Sequence, residues 1–370
     1  MPKEGLQCLQ ENLKKGLAIV RRAIPKRCSL PQAECVLLES DGSRLKLTGT
    51  DLETAVSTWI GAQVDSDLAV MVKVRMLTNA INSLPNERIS LKIVDKQLRL
   101  TCEGGVLNLL IKHAAEDYPP IPSVEGDPVT LDPESLRRAI RQTEIAVSGG
   151  KTRPVLQAIN MRLDGRKLTL AAADDYRLAV HDMELDAEHE QCEINIPDRA
   201  VRILYALLAK EEEAIAMTLD ASNVRFDLRN TVITMHLVDG TFPQYLQLIP
   251  KNWGTKVTVY RADLLRKIQS VGLVARYGEG IVRLEILAGS KVKLSAKSGE
   301  IGQYVVEIDA ALEGQEGKVA FNYLYLTEAL EVMDSEQVTL EITPPSSPVV
   351  LRPVGRDNYT YVFMPMFVQW

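Results

Sequence analysis

Apolar residues return along this chain in two alternating rhythms. From Leu9 to Ile24, the residues Leu9, Leu13, Leu17 and Val20 fall in steps of four, four and three, the spacing of one helix face. Leu136, Ile140 and Val147 repeat that spacing after Asp132-Pro133-Glu134-Ser135, an N-cap residue with proline in the first turn. Leu264, Ile268 and Val271 do so again. Second helices are predicted over Arg75–Leu84, Asp198–Leu208 and Tyr323–Val332. Between helices the period drops to two, as in Val257-Thr258-Val259 and Val338-Thr339-Leu340-Glu341-Ile342, which predicts strands.

The pattern is one unit written three times. Strand-like runs end in a turn at Leu45–Asp51, Leu168–Asp174 and Val292–Ser298. A second landmark closes each unit: Asp117-Tyr118-Pro119-Pro120-Ile121-Pro122, then Thr241-Phe242-Pro243-Gln244-Tyr245, then Tyr359-Thr360-Tyr361-Val362-Phe363-Met364-Pro365. The period is about 120 residues, one small domain each. Polar, turn-rich stretches at Ser123–Asp127 and Lys251–Thr255 divide the chain into domains 1–125, 126–251 and 252–370. Each reads helix, strands, helix, strands: an α+β class.

Composition narrows the function classes. At 46% apolar and 25% charged, the chain is of ordinary globular type. No apolar run reaches the length of a membrane span, and Met1–Leu17 has no apolar core of a signal peptide. Five cysteines, Cys8, Cys28, Cys35, Cys102 and Cys192, form no C-x-x-C pair, so a reducing cytoplasmic setting is expected. The net charge of −6 argues against a protein that coats nucleic acid over its whole surface. Yet the opening helices are all basic, with Lys14, Lys15, Arg21 and Arg22, then Arg137, Arg138 and Arg141, then Arg261, Arg266, Lys267 and Arg276. Arg199, Arg202 and Lys210 add to a second helix, and Lys73 and Arg75 to another; Arg27 and Lys151 are further candidate contacts. A charged helix face is ordinarily just solvated. Its recurrence on the same element of three repeats points instead to sequence-independent phosphate contact. No aromatics interleave these cations, so stacking on single strands is not expected. The last helix departs from the pattern, because Glu328, Glu331 and Asp334 make it acidic.

No catalytic or metal constellation assembles from the sequence. His113, His181, His189 and His236 stand in unrelated contexts, without ligand spacing. Gly150-Lys151-Thr152 lacks the preceding glycine and the strand-to-helix setting of a phosphate-binding loop. Asp174-Asp175 reads as a turn rather than a magnesium pair, and Ser148-Gly149-Gly150 is not a nucleophile elbow. No cofactor and no enzyme activity are expected.

Six segments carry a family resemblance. Leu47-Thr-Gly-Thr-Asp-Leu-Glu53 resembles the "LTATDLE" segment of the bacterial DNA polymerase III beta subunits, the sliding clamps. Arg153-Pro-Val-Leu156 followed by Ala171-Ala-Ala-Asp-Asp-Tyr-Arg-Leu-Ala179 resembles "RPVL…ATDGHRLA". Phe242-Pro-Gln-Tyr-Leu-Gln-Leu-Ile-Pro250 resembles "FPDYRRVLP", and Phe321-Asn-Tyr-Leu-Tyr-Leu-Thr-Glu-Ala-Leu330 resembles "FNVRYLLDAL". Tyr361-Val-Phe-Met-Pro-Met366 resembles "YVVMPM". Each motif is weak alone; six in register along the full chain are specific.

The resemblance implies three DNA-clamp domains, each with helices on one face of antiparallel sheet, and a closed ring formed by a head-to-tail homodimer. The ring would enclose double-stranded DNA without sequence specificity and act as a processivity factor in DNA replication. Implied partners are the DNA polymerase III alpha subunit, the clamp loader, and other polymerases and repair proteins that present short linear motifs; no membrane is involved. The motif cleft falls on Leu156, Ala173, Asp175, Tyr176, Arg177, Leu178, Pro243, Leu248, Ser347, Val362, Phe363, Met364, Pro365 and Met366. The dimer joint falls on Leu107 and Leu109 against Leu273 and Val274, with ordinary core packing as the alternative for these four. Two departures stand out: Asp175-Tyr176 replaces the family's Gly-His, and Phe367-Val-Gln-Trp370 extends the chain end, expected to emerge beside the cleft. They leave room for a clamp paralogue with an accessory, repair or inhibitory role.

Overall fold

The computed structural model describes residues 5–150, 153–287, 290–343 and 347–369. Lys151, Thr152 and Trp370, all named from the sequence, lie outside the described residues. Six α-helices form among these: α1 (Gln10–Val20), α2 (Val74–Ser83), α3 (Pro133–Glu144), α4 (Asp198–Leu208), α5 (Arg261–Ala275) and α6 (Tyr323–Val332). The bounds of α4 and α6 are those the apolar spacing predicts. The first helix stops short of Ile24, because Ala23 and Ile24 turn their N–H groups to the carbonyls of Val20 and Arg21, three residues back. Val147 lies past the end of α3, in a similar tight turn onto the Glu144 carbonyl.

The chain folds as two compact units, residues 1–134 with 199–237, and 135–198 with 238–370. The second repeat is divided between them. Strand pairing explains the division. In the first unit, Thr231–His236 lies antiparallel on Thr54–Val64, with Thr231 opposite Thr58 and Met235 opposite Thr54. The two threonine hydroxyls meet at 2.9 Å in the buried seam. In the second unit, Arg177–Pro197 lies antiparallel on Tyr359–Phe363, with Leu178 opposite Val362. Each half of the middle repeat thus completes a sheet begun by a flanking one.

The first unit is a twelve-stranded sheet that runs from an outer strand, Gly105–Leu110, through Thr54–Val64 to Val129–Leu131. Helix α1 packs close on it: a Cβ at Gly49 would stand 2.6 Å from the Val20 carbonyl oxygen, so only glycine admits the helix end there. The second unit holds a seven-stranded sheet and a four-stranded one whose outer strand is Gly302–Asp309. There α5 and α6 approach at Gly272, where a Cβ would meet the Tyr323 ring at 2.6 Å.

The recurring turn has a physical basis. Asp51 Oδ1 accepts the N–H groups of Glu53 and Thr54 at 3.1 and 2.7 Å. Asp174 Oδ1 accepts those of Tyr176 and Arg177 at 2.8 and 2.9 Å. Ser298 Oγ takes the Glu300 N–H at 3.2 Å in the third repeat. A short side-chain acceptor reverses the chain each time, without a long loop.

A buried polar network locks the second unit. His181, 2% exposed, donates from Nδ1 to Gln142 Oε1 at 2.7 Å and accepts at Nε2 from Asn358 Nδ2 at 3.2 Å. This tautomer is fixed because Gln142 Nε2 is already donated to the Val332 carbonyl and Asn358 offers an N–H. Tyr359 closes the set by donating to the Gln142 carbonyl at 2.9 Å. Burial holds the imidazole neutral, with its pKa pushed down to about 4. An unfolded histidine titrates near ~6.5. The unfolded chain therefore binds the extra proton first, and this contribution to stability is full above about pH 6.5 and lost as the pH falls toward 4. Urea unfolding at stepped pH should show that loss in the parent chain, and a shallower one in His181→Gln.

Candidate nucleic-acid and peptide interfaces

Within the first unit, α1 and α4 line a groove of about 580 Å³ that carries Lys15, Arg22, Lys210 and Arg229. The helix spacing creates it: Leu13, Leu17 and Val20 bury one face of α1, which leaves Lys14, Lys15, Arg21 and Arg22 outward. Among the described residues Lys14, Arg21, Arg22 and Arg75 make no ion pair, and Arg27 is exposed. Others are engaged. Lys15 reaches Glu11 at 3.2 Å, and Arg199 reaches the buried Asp51 carboxylate at 2.9 Å, the one that turns the chain. Arg202 is exposed on α4.

The cations of the second unit have a different setting. Arg137 and Arg138 are half-buried and Arg141 is exposed. Arg138 Nε and Arg141 Nη1 each stand 3.8 Å from the Asp334 carboxylate, just past the end of α6. Arg141 Nη2 also donates to the Glu331 carbonyl at 2.8 Å. Arg266 pairs with Asp263 on its own helix, beside a half-buried Lys267. Cation spacing in the sequence does not mark Arg229, which lines the groove and stands 3.7 Å from Glu213, nor Glu211 beside it, nor the carboxylates that claim several of the rest.

The apolar site lies wholly in the second unit. Leu156, Ala173, Leu178 and Val362 join Ala171, Val180, Phe242, Tyr245 and Val350 in one buried cluster, with Val155 and Ile249 partly buried against it. Around these in the chain stand the exposed Asp175, Tyr176, Pro243, Leu248, Met364 and Met366, and the half-exposed Ser347 and Pro365. The Met364 N–H donates to the Tyr176 carbonyl at 2.8 Å, which ties the chain-end segment to the Asp174 turn. Asp175, in place of glycine, meets Arg153 at 3.5 Å across open surface.

Two expected cleft residues are used elsewhere. Phe363 alternates to the opposite strand face from Val362 and packs edge-on against Phe321, with ring centroids 5.3 Å apart. Arg177 is 13% exposed in its side chain; it donates to Asp174 at 3.0 Å and to Glu328 of α6, and lies 4.8 Å over the Tyr325 ring. Burial opposes its charge, but Tyr361 and Glu328 outweigh burial and raise its pKa. Arg177 is therefore a tie between the turn and α6.

The chain end follows a course that the resemblance did not imply. The Met366 N–H donates to the Ala320 carbonyl at 2.7 Å, and Arg283 Nη2 donates to the Gln369 carbonyl at 2.9 Å. Phe367, Val368 and Gln369 line a cavity of about 630 Å³ with Ile281, Arg283 and Lys297, and none of the cleft residues lines it. Residues 367–369 thus run along the four-stranded sheet, with the Phe367 ring exposed, instead of lying beside the cleft. Backbone pairing to Ala320 sets that direction.

The joint residues divide as well. Leu107 and Leu109 share a strand face, but it is the inner one: Leu109 sits opposite the buried Leu98 and is itself buried. The same strand turns Val106 and Leu110 outward, 60% and 62% exposed. On α5, Leu273 is 56% exposed and Val274 half-buried.

Three α+β repeats joined by sheets that run from one repeat into the next are the architecture of the DNA clamps. The chain belongs to the DNA polymerase III beta subunit family: its N-terminal domain model matches residues 5–122, its central domain model 130–244 and its C-terminal domain model 246–367. The beta sliding clamp of Synechococcus elongatus is 30% identical over 370 residues, 98% of each chain. That of Staphylococcus epidermidis is 29% identical, covering 93% of this chain and 94% of its own. Among solved structures, the Bacillus subtilis sliding clamp superimposes with a TM-score of 0.95 at 23% identity, over 98% of this chain and 99% of that one. The Pseudomonas aeruginosa clamp bound to griselimycin gives 0.92 at 25% identity, over 98% and 100%.

Removing Arg177 leaves the Asp174 and Glu328 carboxylates without their shared cation. Arg177→Ala should cost ~2 kcal/mol in chemical unfolding, less than for a fully buried pair, because Glu328 keeps contact with water. Arg177→Lys should recover only part, since a lysine cannot span both carboxylates in a planar fork.

Proposed function

We propose that the protein is a DNA sliding clamp of bacterial replication, a processivity factor without chemistry of its own. Two chains close head to tail around double-stranded DNA and hold a polymerase to it. The observation that carries this reading is the cationic groove of α1 and α4, on a chain whose net charge is −6. Positive charge gathered on one surface of an acidic protein suits weak contact with phosphates of any sequence. Lys14, Lys15, Arg21, Arg22, Arg27, Arg75, Arg199 and Arg202 make those contacts, with Lys210 and Arg229.

The joint between chains uses two unlike sheet edges. Gly105–Leu110 and Gly302–Asp309 both end their sheets, and both expose apolar side chains: Val106 and Leu110 on one, Tyr304 and Val305 on the other. Antiparallel pairing of one chain's first edge with its partner's second would satisfy both rows of backbone groups. Met76 of α2 and Leu273 of α5, both exposed, would meet over that seam. Sheet pairing makes the contact heterologous, and two such joints close a dimer.

The apolar cluster of Leu156, Leu178 and Val362, with the exposed methionines Met364 and Met366 at its margin, receives short linear motifs of the DNA polymerase III alpha subunit, the clamp loader and other DNA-processing proteins. The setting is the bacterial cytoplasm, where DNA is copied.

Two outcomes check this. Protein loaded on nicked circular DNA should stay bound after dilution and be lost when the circle is cut; equal retention on both forms would exclude enclosure. Leu273→Asp should leave a folded monomer in sedimentation, with the dimer dissociation constant raised by ~100-fold, about 3 kcal/mol, for a charge placed in an apolar joint.

A further inference from the structure

The acidic α6 breaks the charge pattern of the other helices, and its contacts give it a role. Glu328 holds Arg177, Glu331 accepts from Gln269 of α5 at 3.1 Å, and Asp334 faces α3. Of these three, Asp334 is the one that meets two guanidinium groups among the described residues. Arg138 and Arg141 are one helical turn apart on α3, so they project from one face and converge on a single carboxylate, 3.8 Å from each. A charge-assisted hydrogen bond to a carboxylate is normally nearer ~2.8 Å. The carboxylate is thus loosely held, while Arg141 is fixed independently through Nη2 on the Glu331 carbonyl. All three charged side chains are between 34% and 45% exposed, open to exchange with an outside anion.

We infer that Arg138 and Arg141 form a preorganised phosphate site that Asp334 occupies when no DNA is present, an internal carboxylate standing where a backbone phosphate binds. The inference rests on the DNA reading above and specifies how one part of the DNA surface is regulated. A phosphodiester carries the same unit charge as the carboxylate and offers two acceptor oxygens to two guanidinium forks. Binding DNA at this site is therefore an exchange of one anion for another. Lys14 of α1, and Arg21 and Arg22 just past its end, make no ion pair among the described residues and would instead meet DNA with no internal anion to displace. The two units thus differ in kind: open cations on the first, masked cations on the second.

The test is fluorescence anisotropy of a short blunt duplex against full-length protein, in a series of salt concentrations. Asp334→Asn keeps the shape and removes the charge. It should tighten binding several-fold at low salt and steepen the log–log salt dependence by about 1, the slope of one added phosphate contact. Adding Arg138→Gln and Arg141→Gln to Asp334→Asn should return the slope to the parental value or below, and Asp334→Glu should behave as the parent. Thermal unfolding of each variant separates lost binding from lost fold; were Asp334→Asn unfolded, Asp334→Ser would take its place in the series. A folded Asp334→Asn with parental affinity and slope, while Arg22→Glu with Lys210→Glu weakens binding, would overturn the inference and leave the DNA reading intact. Parental binding in Arg22→Glu with Lys210→Glu as well would overturn both.

Discussion

Everything in this fold depends on two strand pairings that cross repeat boundaries. Thr231–His236 on Thr54–Val64, and Arg177–Pro197 on Tyr359–Phe363, join sheets that each repeat leaves incomplete. A three- or four-stranded sheet exposes unpaired N–H and C=O groups at both rims. Here one strand on each side of the middle repeat is covered by a neighbour, while Gly105–Leu110 and Gly302–Asp309 remain as sheet edges in the outer repeats. The apolar cluster follows from the second pairing: Leu178 and Val362 are register partners, so their side chains share one sheet face.

Much of this was legible in the sequence, for reasons that are local. The bounds of α4 and α6 follow from apolar spacing, because one face of each is buried against its own unit. The recurring Asp51 and Asp174 turns were visible because a side-chain acceptor acts within three residues of itself. The period of the repeat was visible, but the sharing of sheets between repeats was not. Nothing in the spacing of Thr231–His236 says that its partner is a strand of the first repeat. Phe363 departs from the cleft for a similar reason: being next to Val362 in sequence puts it on the other face of the strand.

The site was less legible than the fold. Cation counts along a helix do not reveal which charges are already committed. The Glu331 carbonyl that fixes Arg141 is 190 residues away in the chain. The Asp51 carboxylate serves the turn and Arg199 at once, a double use that no composition or periodicity exposes. The chain-end extension shows the same limit, since its course is set by one backbone hydrogen bond to Ala320.

The converging pair at Asp334 has a consequence for motion along a duplex. A ring that slides must break and remake its polar contacts at every base-pair step, and each bare cation exposed in between adds to the barrier. Under the proposed exchange, Arg138 and Arg141 would pass between a DNA phosphate and Asp334, 3.8 Å from each. Passing from one phosphate to the next through an intervening carboxylate replaces one deep well with two shallow ones. The energy profile along the helix axis would then be flattened, and friction would fall without loss of the positive charge facing the DNA.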